Sequence, residues 1–566
     1  MDKFDNVPIS RLILMGLLSM LVIKPMFASD PWADLLKEEV TRQKYELRQA
    51  KYPPLYFDFQ ILDQFSDEIR SSFGGIISSQ STRYKLFSPF YLMGHQEDIF
   101  ADIPNQTRLT VLLPLEPDTF AFRAAIWEVC NQAFSSAVQA YEKSLEKRKS
   151  AVSVGDTTRG FAPVKSVISI DPLPEGTTLN FERSSWEPVL QNITEKFRTY
   201  PQFVTGSATM LFVRKRNYFS SSDESSIAEN RSSVTLTISA SVRAEDGMII
   251  PLYLHYHANH PSSLPNEKQL LSDTEALIIR LQALEKAPLA EPYSGPAILS
   301  GEAAAVFFHE IFGHRVEGQR MKNDKDAQTF SSMNGESVLP NDFQVSDDPS
   351  LTCFDTLSLA GHYLFDDQGV PGQRVELVQN GTLRDVLMTR IPIRGFSQSN
   401  GHARANLEPG ENGSTGFVPT SRQGNLLVSS TKPLSEKKLR KALIKELKVQ
   451  KKPYGYRFMT VSGGFTLTGR YIPNSFNINP LETYRVYADG RPDELVRGVD
   501  LIGTPLTMFS DITSAGSQIG VFNGMCGASS GWIPVSAISP SILVKKIETQ
   551  RKSETKIPAP LLPPPY

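Results

Sequence analysis

The sequence predicts an α+β protein with two domains, of which the second is rich in strands. The chain has 566 residues, and at about 150 residues per domain this length allows two to four domains. Helical and strand-like patterns alternate up to a stretch punctuated by proline and glycine at 288–296, PLAEPYSGP. Beyond it, one strong helical pattern is followed mainly by short strand patterns, so we place the main domain boundary there.

Composition and charge exclude several classes of protein. Hydrophobic residues make up 40% and charged residues 21% of the chain, which argues against a disordered, collagen-like or coiled-coil protein. The 59 basic and 61 acidic residues nearly balance, so no overall field attracts nucleic acid. Only three cysteines are present, so we do not expect disulfides to build the fold.

Residues 1–29 have the features of a secretory signal peptide. Lys3 and Arg11 precede an apolar run at 12–23, and small residues follow at Ala28 and Ser29. The run is shorter than the about 20 residues of a membrane-spanning helix. We therefore expect export, to the periplasm in a bacterial cell, and no stable membrane span after cleavage. If the segment is not cleaved, it would instead anchor the protein to a membrane.

The first domain, residues 30–290, opens with a helical pattern at 30–51, in which Asp30 can cap the helix and Pro31 suits its first position. Amphipathic stretches predict helices, and alternating or β-branched stretches predict strands. The expected strands are 55–62, 75–87, 207–213, 232–242 and 248–257, with a serine-rich loop at 220–226, and the further helices are 120–150 and 269–286.

The second domain, residues 291–550, opens with a strongly apolar helical pattern at about 300–314. Short strands and turns are expected after it, apart from a basic helix at 435–450. Residues 551–566 end in PAPLLPPPY, which predicts an extended proline-rich tail.

The helix at 300–314 carries the strongest chemical signal, His309-Glu310 followed by His314. Zinc peptidases commonly use His-Glu-x-x-His, which puts both histidines on one helix face. The spacing of five found here would place them about 140° apart on an ideal α-helix. Both can reach one ion only if the helix bulges or ends within 310–314, and Gly313 tolerates such a change of backbone conformation.

A catalytic zinc usually has three protein ligands, so a third must come from elsewhere in the chain. Cys526 lies in the segment Gly-Met-Cys-Gly at 524–527, which we interpret as a flexible loop. We interpret Cys130, within the long helix, as a small buried residue and Cys353 as structural. The candidates are Cys526, Cys353, Cys130, His402, His362, Asp366 and Asp367.

A second histidine group lies on the predicted strand at 248–257. His255 and His257 alternate and so share one face, with His260 close behind. They are candidates for a second metal site, but we favour a polar strand face near a turn.

Five segments together resemble the TldD/PmbA family of metallopeptidases, formerly called modulators of DNA gyrase. The resemblance is strong from 297 to 541 and looser from 207 to 287. The segments are AAVFFHEIFGHRVEG at 304–318, FDDQGVPGQRVELVQNGTLRDVLMTR at 365–390, GHAR at 401–404, VYADGRPDELVRGVDLIGTP at 486–505 and NGMCGASSGWIPVS at 523–536.

The resemblance implies a two-domain TldD/PmbA-like architecture and a zinc-dependent peptidase. His309, His314 and Cys526 correspond to the family's Zn²⁺ ligands, and Glu310 corresponds to the glutamate that activates the zinc-bound water. The family has active members that hold this set and inactive partners that lack it. Because this chain holds the full set, it resembles the active, TldD-like branch.

The resemblance also implies substrates and partners. We expect an extended or unfolded peptide, bound beside a strand such as the glycine-rich 463–469, and either a homodimer or a heterodimer with an inactive member. We expect no nucleic-acid partner, because charge is balanced and the chain carries an export signal. The alternative is a non-catalytic, metal-containing binding or assembly protein of the same fold.

Some residues near these motifs have more than one interpretation. Arg315 and Glu317 either support the metal ligands or form a surface ion pair. An oxidising compartment would also permit a disulfide between Cys130 and Cys353. The roles of Asp366, Asp367 and His402 are not assigned by the resemblance.

Overall fold

The computed structural model covers the chain from Asp30 to Lys552 with internal gaps. The predicted signal peptide and all but two residues of the predicted tail lie outside the described residues. Those residues are 30–95, 108–150, 158, 160–173, 181–322, 326, 329–408, 416–468 and 476–552.

The first part of the chain forms a seven-stranded sheet in the order β3-β2-β1-β5-β6-β4, with β7 also paired to β6. Its strands are longer than predicted. The ladder between β5 and β6 continues to the pair Ser220 and Ser226, so only residues 222–225 remain of the loop expected at 220–226. The strands are β1 Pro54–Ser72, β2 Gly75–Met93, β3 Val111–Leu112, β4 Ile168–Ile170, β5 Phe203–Ser221, β6 Ser226–Arg243 and β7 Ile249–Ala258.

The described residues of this part of the chain include four α-helices: α1 Pro31–Glu46, α2 Thr119–Ser150, α3 Arg183–Glu195 and α4 Glu267–Lys286. As predicted, the Asp30 carboxylate caps α1 by accepting the backbone N–H of Trp32 at 3.1 Å. Leucines of α4 pack with inward residues of β6 in one core, and α1 and α2 cover β1 and β2 in another. Burial of these apolar faces stabilises the sheet-and-helix layers.

The second part of the chain forms an eleven-stranded sheet. Most of the described strands after residue 314 have six residues or fewer, as expected. The exceptions include β21 and β22, which form a long hairpin with paired residues from Ile512 to Ala528. The sheet contains β8 Tyr293–Leu299, β9 Phe343–Asp347, β12 Val375–Gln379, β13 Thr382–Leu383, β16 Asn425–Ser430, β17 Tyr454–Thr466, β18 Phe476–Tyr487, β19 Glu494–Val496, β20 Val499–Gly503, β21 Ile512–Ala528 and β22 Gly531–Arg551.

Short elements complete this part of the chain. Two small two-stranded sheets pair β10 with β11 and β14 with β15. These elements are β10 Cys353–Phe354, β11 Leu357–Ser358, β14 Ala403–Arg404, β15 Thr420–Ser421, and the helices α5 Gly301–Ile311, α6 Gly318–Lys322, α7 Glu436–Val449 and α8 Pro505–Ser510.

Helix α5 is buried among the strands of the larger sheet. It packs against β17, β21 and β22, and ten of its residues are buried, including three consecutive alanines. A Cβ on Gly301 would lie 2.1 Å from the backbone nitrogen of Gly520, so the first turn of α5 directly touches β21. A helix that is apolar all round needs such an enclosed position, and this position fixes the helix that carries His309 and Glu310.

The two sheets contact each other through polar groups. Arg280 of α4 forms an ion pair with Glu482 of β18, and the Tyr253 hydroxyl donates to the Val461 carbonyl at 2.6 Å. All strands before residue 290 belong to the first sheet, and all later strands belong to the other sheets. The domain boundary at 290 stays a prediction.

All three cysteines are free thiols, so Cys130 and Cys353 are not paired. Cys130 is buried as expected, whereas Cys353, expected to be structural, is exposed. Among the described residues, no helix combines the length and the apolar character needed to cross a membrane.

Glu302, in the first turn of α5, gives a pH-dependent prediction. Burial raises its pKa from the usual 4.5 to about 7. The positive charge of Arg280 lowers this pKa, and the negative charge of Glu482 raises it, but burial has the largest effect. The folded state therefore binds this proton more tightly than the unfolded chain, and stability falls as pH rises from about 4.5 to about 7. We expect Glu302→Gln to gain stability over the wild type at pH 8 but not at pH 4, measured by urea unfolding.

The matched control is Glu291→Gln, which removes an exposed carboxylate paired with Arg551. Its stability difference from the wild type should be small at both pH values. An equal gain for Glu302→Gln at pH 4 and pH 8 would contradict the assignment to this carboxyl group.

Candidate metal centre

The two motif histidines meet where α5 ends. The α-helix stops at Ile311, within the 310–314 window required by the spacing, and a 3₁₀ helix follows at Gly313–Arg315. The tighter turn brings His314 back beside His309, with 4.9 Å between the ring centroids. The change from α to 3₁₀ geometry replaces the bulge that would otherwise be needed.

Two side-chain contacts stabilise the end of the helix at this point. Arg315 donates to the carbonyl oxygens of Glu310 and Ile311 at 2.7 and 3.1 Å, so the unpaired carbonyls at the helix end find a donor. At Gly313 a Cβ would lie 1.9 Å from the side-chain oxygen of Gln423. A larger residue at 313 would therefore displace the buried Gln423 side chain, which packs directly against Gly313.

Cys526 joins the histidines from a different part of the sheet. Its sulfur lies 3.3 Å from His314 Nε2, and one ligand atom from each of His309, His314 and Cys526 lies within 4.8 Å of the others. The expectation of a flexible loop is wrong, because Cys526 pairs with Ile533 within the β21–β22 ladder. A strand holds the sulfur more rigidly than a loop would.

Glu317 orients His314. Its carboxylate lies 3.0 Å from His314 Nδ1, which leaves Nε2 directed at Cys526. Arg320 donates to the other carboxylate oxygen at 2.5 Å. Burial alone would raise the pKa of the Glu317 carboxyl group. The positive charges of Arg320, His314 and Arg422 outweigh this effect and lower the pKa to about 2. Glu317 and Arg315 are both buried, so the interpretation as a surface ion pair is wrong.

The donor set fits a metal ion such as zinc. Two imidazoles and one thiolate are nitrogen and sulfur ligands of the kind that bind zinc. Burial alone would raise the pKa of Cys526, but the neighbouring histidines hold it well below the usual 9.0, which favours the thiolate. His309 Nδ1 is buried and has no hydrogen-bond partner among the described residues.

Glu310 lies beside the ligands with its carboxylate available. The side chain is 6% exposed, and its carboxylate makes no hydrogen bond to the described residues. A Cβ on Gly464 of β17 would lie 3.0 Å from Glu310 Cγ, so the glycine leaves room for this side chain. Such a carboxylate can exchange a proton with a reactant at the neighbouring metal site.

The other proposed third ligands are occupied elsewhere. His402 bonds to Asp347 through Nε2 at 3.1 Å, and His362 Nδ1 lies 2.9 Å from the Pro349 carbonyl. Asp366 accepts three backbone N–H groups, and Asp367 accepts one from Ala405. These residues, with Cys130 and Cys353, are not part of the cluster.

His255 and His257 on β7 do not form a second cluster with a third ligand within the described ranges. His255 Nδ1 lies 3.0 Å from the Thr237 hydroxyl. Burial lowers the pKa of His257 to about 4, with a further contribution from His255. This agrees with the interpretation as a polar strand face.

Sequence reasoning missed Arg422 and Gln423. Arg422 Nη2 donates to the Cys526 carbonyl at 2.7 Å, and Gln423 Nε2 lies 3.4 Å from the His309 carbonyl. Both residues are 1% exposed. A lone arginine and glutamine before a short strand have no distinctive pattern, so only the folded arrangement identifies them.

The fold and the site together define a metallopeptidase-type domain. Residues 292–551 match the PmbA/TldA metallopeptidase C-terminal domain. This part of the chain, residues 292–551, is therefore similar to the C-terminal domain of the TldD/PmbA family.

Known relatives agree with this placement. The chain is 27% identical over 44% of its length to a metalloprotease of Archaeoglobus fulgidus, covering 51% of that protein. It is 25% identical over 59% of its length to the zinc metalloprotease TldD homolog of Saccharolobus solfataricus, covering 68% of it. The chain thus spans about half the length of the first of these relatives.

Solved structures support the fold over a longer part of the chain. TldE from Thermococcus kodakarensis is similar with a TM-score of 0.59 over 92% of this chain and 100% of that chain, at 12% identity. At this identity the likeness concerns the fold alone, and it extends to the N-terminal part that the family model does not match.

Proposed function

We propose that this protein is a zinc peptidase in which His309, His314 and Cys526 hold Zn²⁺ and Glu310 moves the proton. The observation that carries the proposal is the convergence of these three buried ligands next to Glu310, whose buried carboxylate makes no hydrogen bond to the described residues. The family domain and the names of the relatives support the same activity.

Each residue has a distinct part in the proposed hydrolysis. Zinc supplies Lewis-acid chemistry, polarising the scissile carbonyl and acidifying a water molecule. Glu310 accepts the proton of the attacking water and passes it to the departing amine. Glu317 keeps His314 in the orientation that presents Nε2. The buried surroundings strengthen these electrostatic interactions by excluding bulk water.

The edge of β17 supports an extended peptide as the substrate. β17 pairs with β8 only at residues 456–458, whereas its pairing with β18 continues to Thr466. Beyond Val461, whose carbonyl accepts from Tyr253, the stretch from Ser462 to Thr466 offers one open edge among the described strands, and its Gly464 contacts Glu310. Main-chain pairing there would present a peptide bond to the site with little dependence on side chains.

The proposal is tested by metal content followed by hydrolysis. Elemental analysis of the purified chain should give about one zinc per chain, and the zinc-loaded protein should cleave an unfolded peptide. Zinc without cleavage of any unfolded peptide would favour the alternative, a non-catalytic metal-containing protein. No zinc, even when it is supplied under reducing conditions, would exclude the proposed site.

Partners and location belong to the same proposal. We propose pairing either with a second copy or with an inactive family member, action outside the cytoplasm after removal of residues 1–29, and no nucleic-acid partner. Light scattering of the purified chain, alone and with a candidate partner, distinguishes the two kinds of dimer.

A further inference from the structure

Three consecutive residues, Arg422-Gln423-Gly424, connect to all three proposed ligands. They lie between β15 and β16, a part of the chain that contributes no ligand itself. We call residues 422–424 the brace. Its contacts join the end of α5, the 3₁₀ helix and β21.

Arg422 contacts the groups that hold two of the ligands, Cys526 and His314. One nitrogen, Nη2, donates to the carbonyl of Cys526 at 2.7 Å, while Nη1 donates to the Ser530 hydroxyl at 2.8 Å. Its Nε lies 3.7 Å from the Glu317 carboxylate oxygen that also contacts His314. A single buried guanidinium thus hydrogen-bonds to the end of the Cys526 strand and forms an ion pair with the carboxylate that orients His314.

Gln423 contacts the backbone of the third ligand, His309. Its amide nitrogen lies 3.4 Å from the His309 carbonyl, and its side-chain oxygen lies where a Cβ on residue 313 would be. The side chain therefore packs on the turn that brings the two histidines together. Replacing it with a smaller residue would leave space exactly beside that turn.

The brace is itself anchored from the opposite side. The backbone N–H of Gly424 donates to the Asp347 carboxylate at 3.0 Å, and the N–H of Arg422 donates to the His402 carbonyl at 3.0 Å. His402 in turn bonds to Asp347 through Nε2. Asp347 and His402 are fully buried, so the brace rests on rigid core groups.

We infer that Arg422 and Gln423 are positioning residues that preorganise His309, His314 and Cys526 for metal binding. The inference rests on the proposed function in assuming that these three residues bind zinc. A guanidinium suits the task because its planar fork can donate in several fixed directions at once, which a lysine ammonium cannot match in geometry. Residues that orient metal ligands typically change metal affinity by about 10–100-fold when replaced.

The experiment measures zinc affinity directly, by competition with a chelator, for the full chain and its variants. We expect Arg422→Met to bind zinc about 10–100-fold more weakly than the wild type. Arg422→Lys should also bind zinc more weakly, because an ammonium group cannot reproduce the fixed donor directions of the planar guanidinium. Gln423→Leu, which keeps the volume but loses the amide, should show a smaller loss.

A matched control and a spectroscopic readout separate positioning from general damage. Arg216 of β5 is also a buried arginine and pairs with Asp30, the cap of α1, so Arg216→Lys should leave zinc affinity unchanged. With Co²⁺ in place of zinc, Arg422→Met should weaken or shift the thiolate-to-cobalt charge-transfer absorption of Cys526, whereas Arg216→Lys should not. Should Arg422→Met fail to fold, Arg422→Lys and Gln423→Leu provide the same comparison.

The outcomes distinguish this inference from the proposed function. Wild-type zinc affinity in the folded brace variants would overturn the inference and leave the zinc site intact. An equal loss in Arg216→Lys would also overturn it, because the effect would then reflect stability alone. Failure of the wild type to bind zinc would overturn the proposed function and the inference together.

Discussion

Replacing Glu310 with glutamine is expected to leave zinc content unchanged and to lower peptide hydrolysis by about 10²–10⁴-fold, the usual contribution of a general acid–base group. Glutamine keeps the volume of the side chain that packs against Gly464, so the end of α5 should keep its shape. It cannot accept the proton of the attacking water. The measurements are zinc per chain by elemental analysis and kcat/KM for an unfolded peptide.

Glu302→Gln is the matched control for this experiment. Glu302 is a carboxylate on the same helix, but it lies in the first turn beside Arg280 rather than at the ligands. We expect the control to retain hydrolysis and to alter only the pH dependence of stability. Full activity of Glu310→Gln would show that another group takes the proton, and loss of zinc would show that Glu310 shapes the ligand site.

Five helices, α1, α2, α4, α5 and α7, could be predicted closely from the sequence, whereas helix α3 and the strand lengths could not. Helix α7 was expected at 435–450 and spans Glu436–Val449, because caps and apolar spacing are local signals. The ends of β5 and β6 depend on cross-strand pairing, which the serine-rich residues sustain up to Ser220 and Ser226. Polar residues resemble a loop when one chain segment is considered without its neighbour.

The site was predictable where local geometry decided it. The spacing of His309 and His314 required a break in the helix, and the α-helix ends at Ile311. The spacing could not choose among seven candidates for a third ligand, and only the family resemblance selected Cys526. Nor could it identify Arg422, whose role depends on contacts with Glu317 and Cys526 that are distant in sequence.

Replacing Cys526 with serine is expected to weaken zinc binding strongly. Residues that only orient the ligands change metal affinity by about 10–100-fold when replaced, and we expect a larger loss here. The change removes the one anionic ligand of the set, and a serine hydroxyl is a poor zinc ligand at neutral pH. The fold should survive, because Arg422 bonds to the backbone carbonyl of residue 526 rather than to the sulfur. Chelator competition measures the affinity, and Cys353→Ser, at an exposed thiol, should bind zinc like the wild type.

Added zinc then separates the roles of Cys526 and Glu310. Cys526→Ser retains both histidines and Glu310, so zinc well above its raised dissociation constant should restore part of the hydrolysis. No zinc concentration should restore hydrolysis in Glu310→Gln, because its defect is in proton transfer and not in metal occupancy. Unchanged zinc affinity in Cys526→Ser would show that the third ligand lies elsewhere, and restoration of Glu310→Gln by zinc would show that Glu310 acts through the metal site.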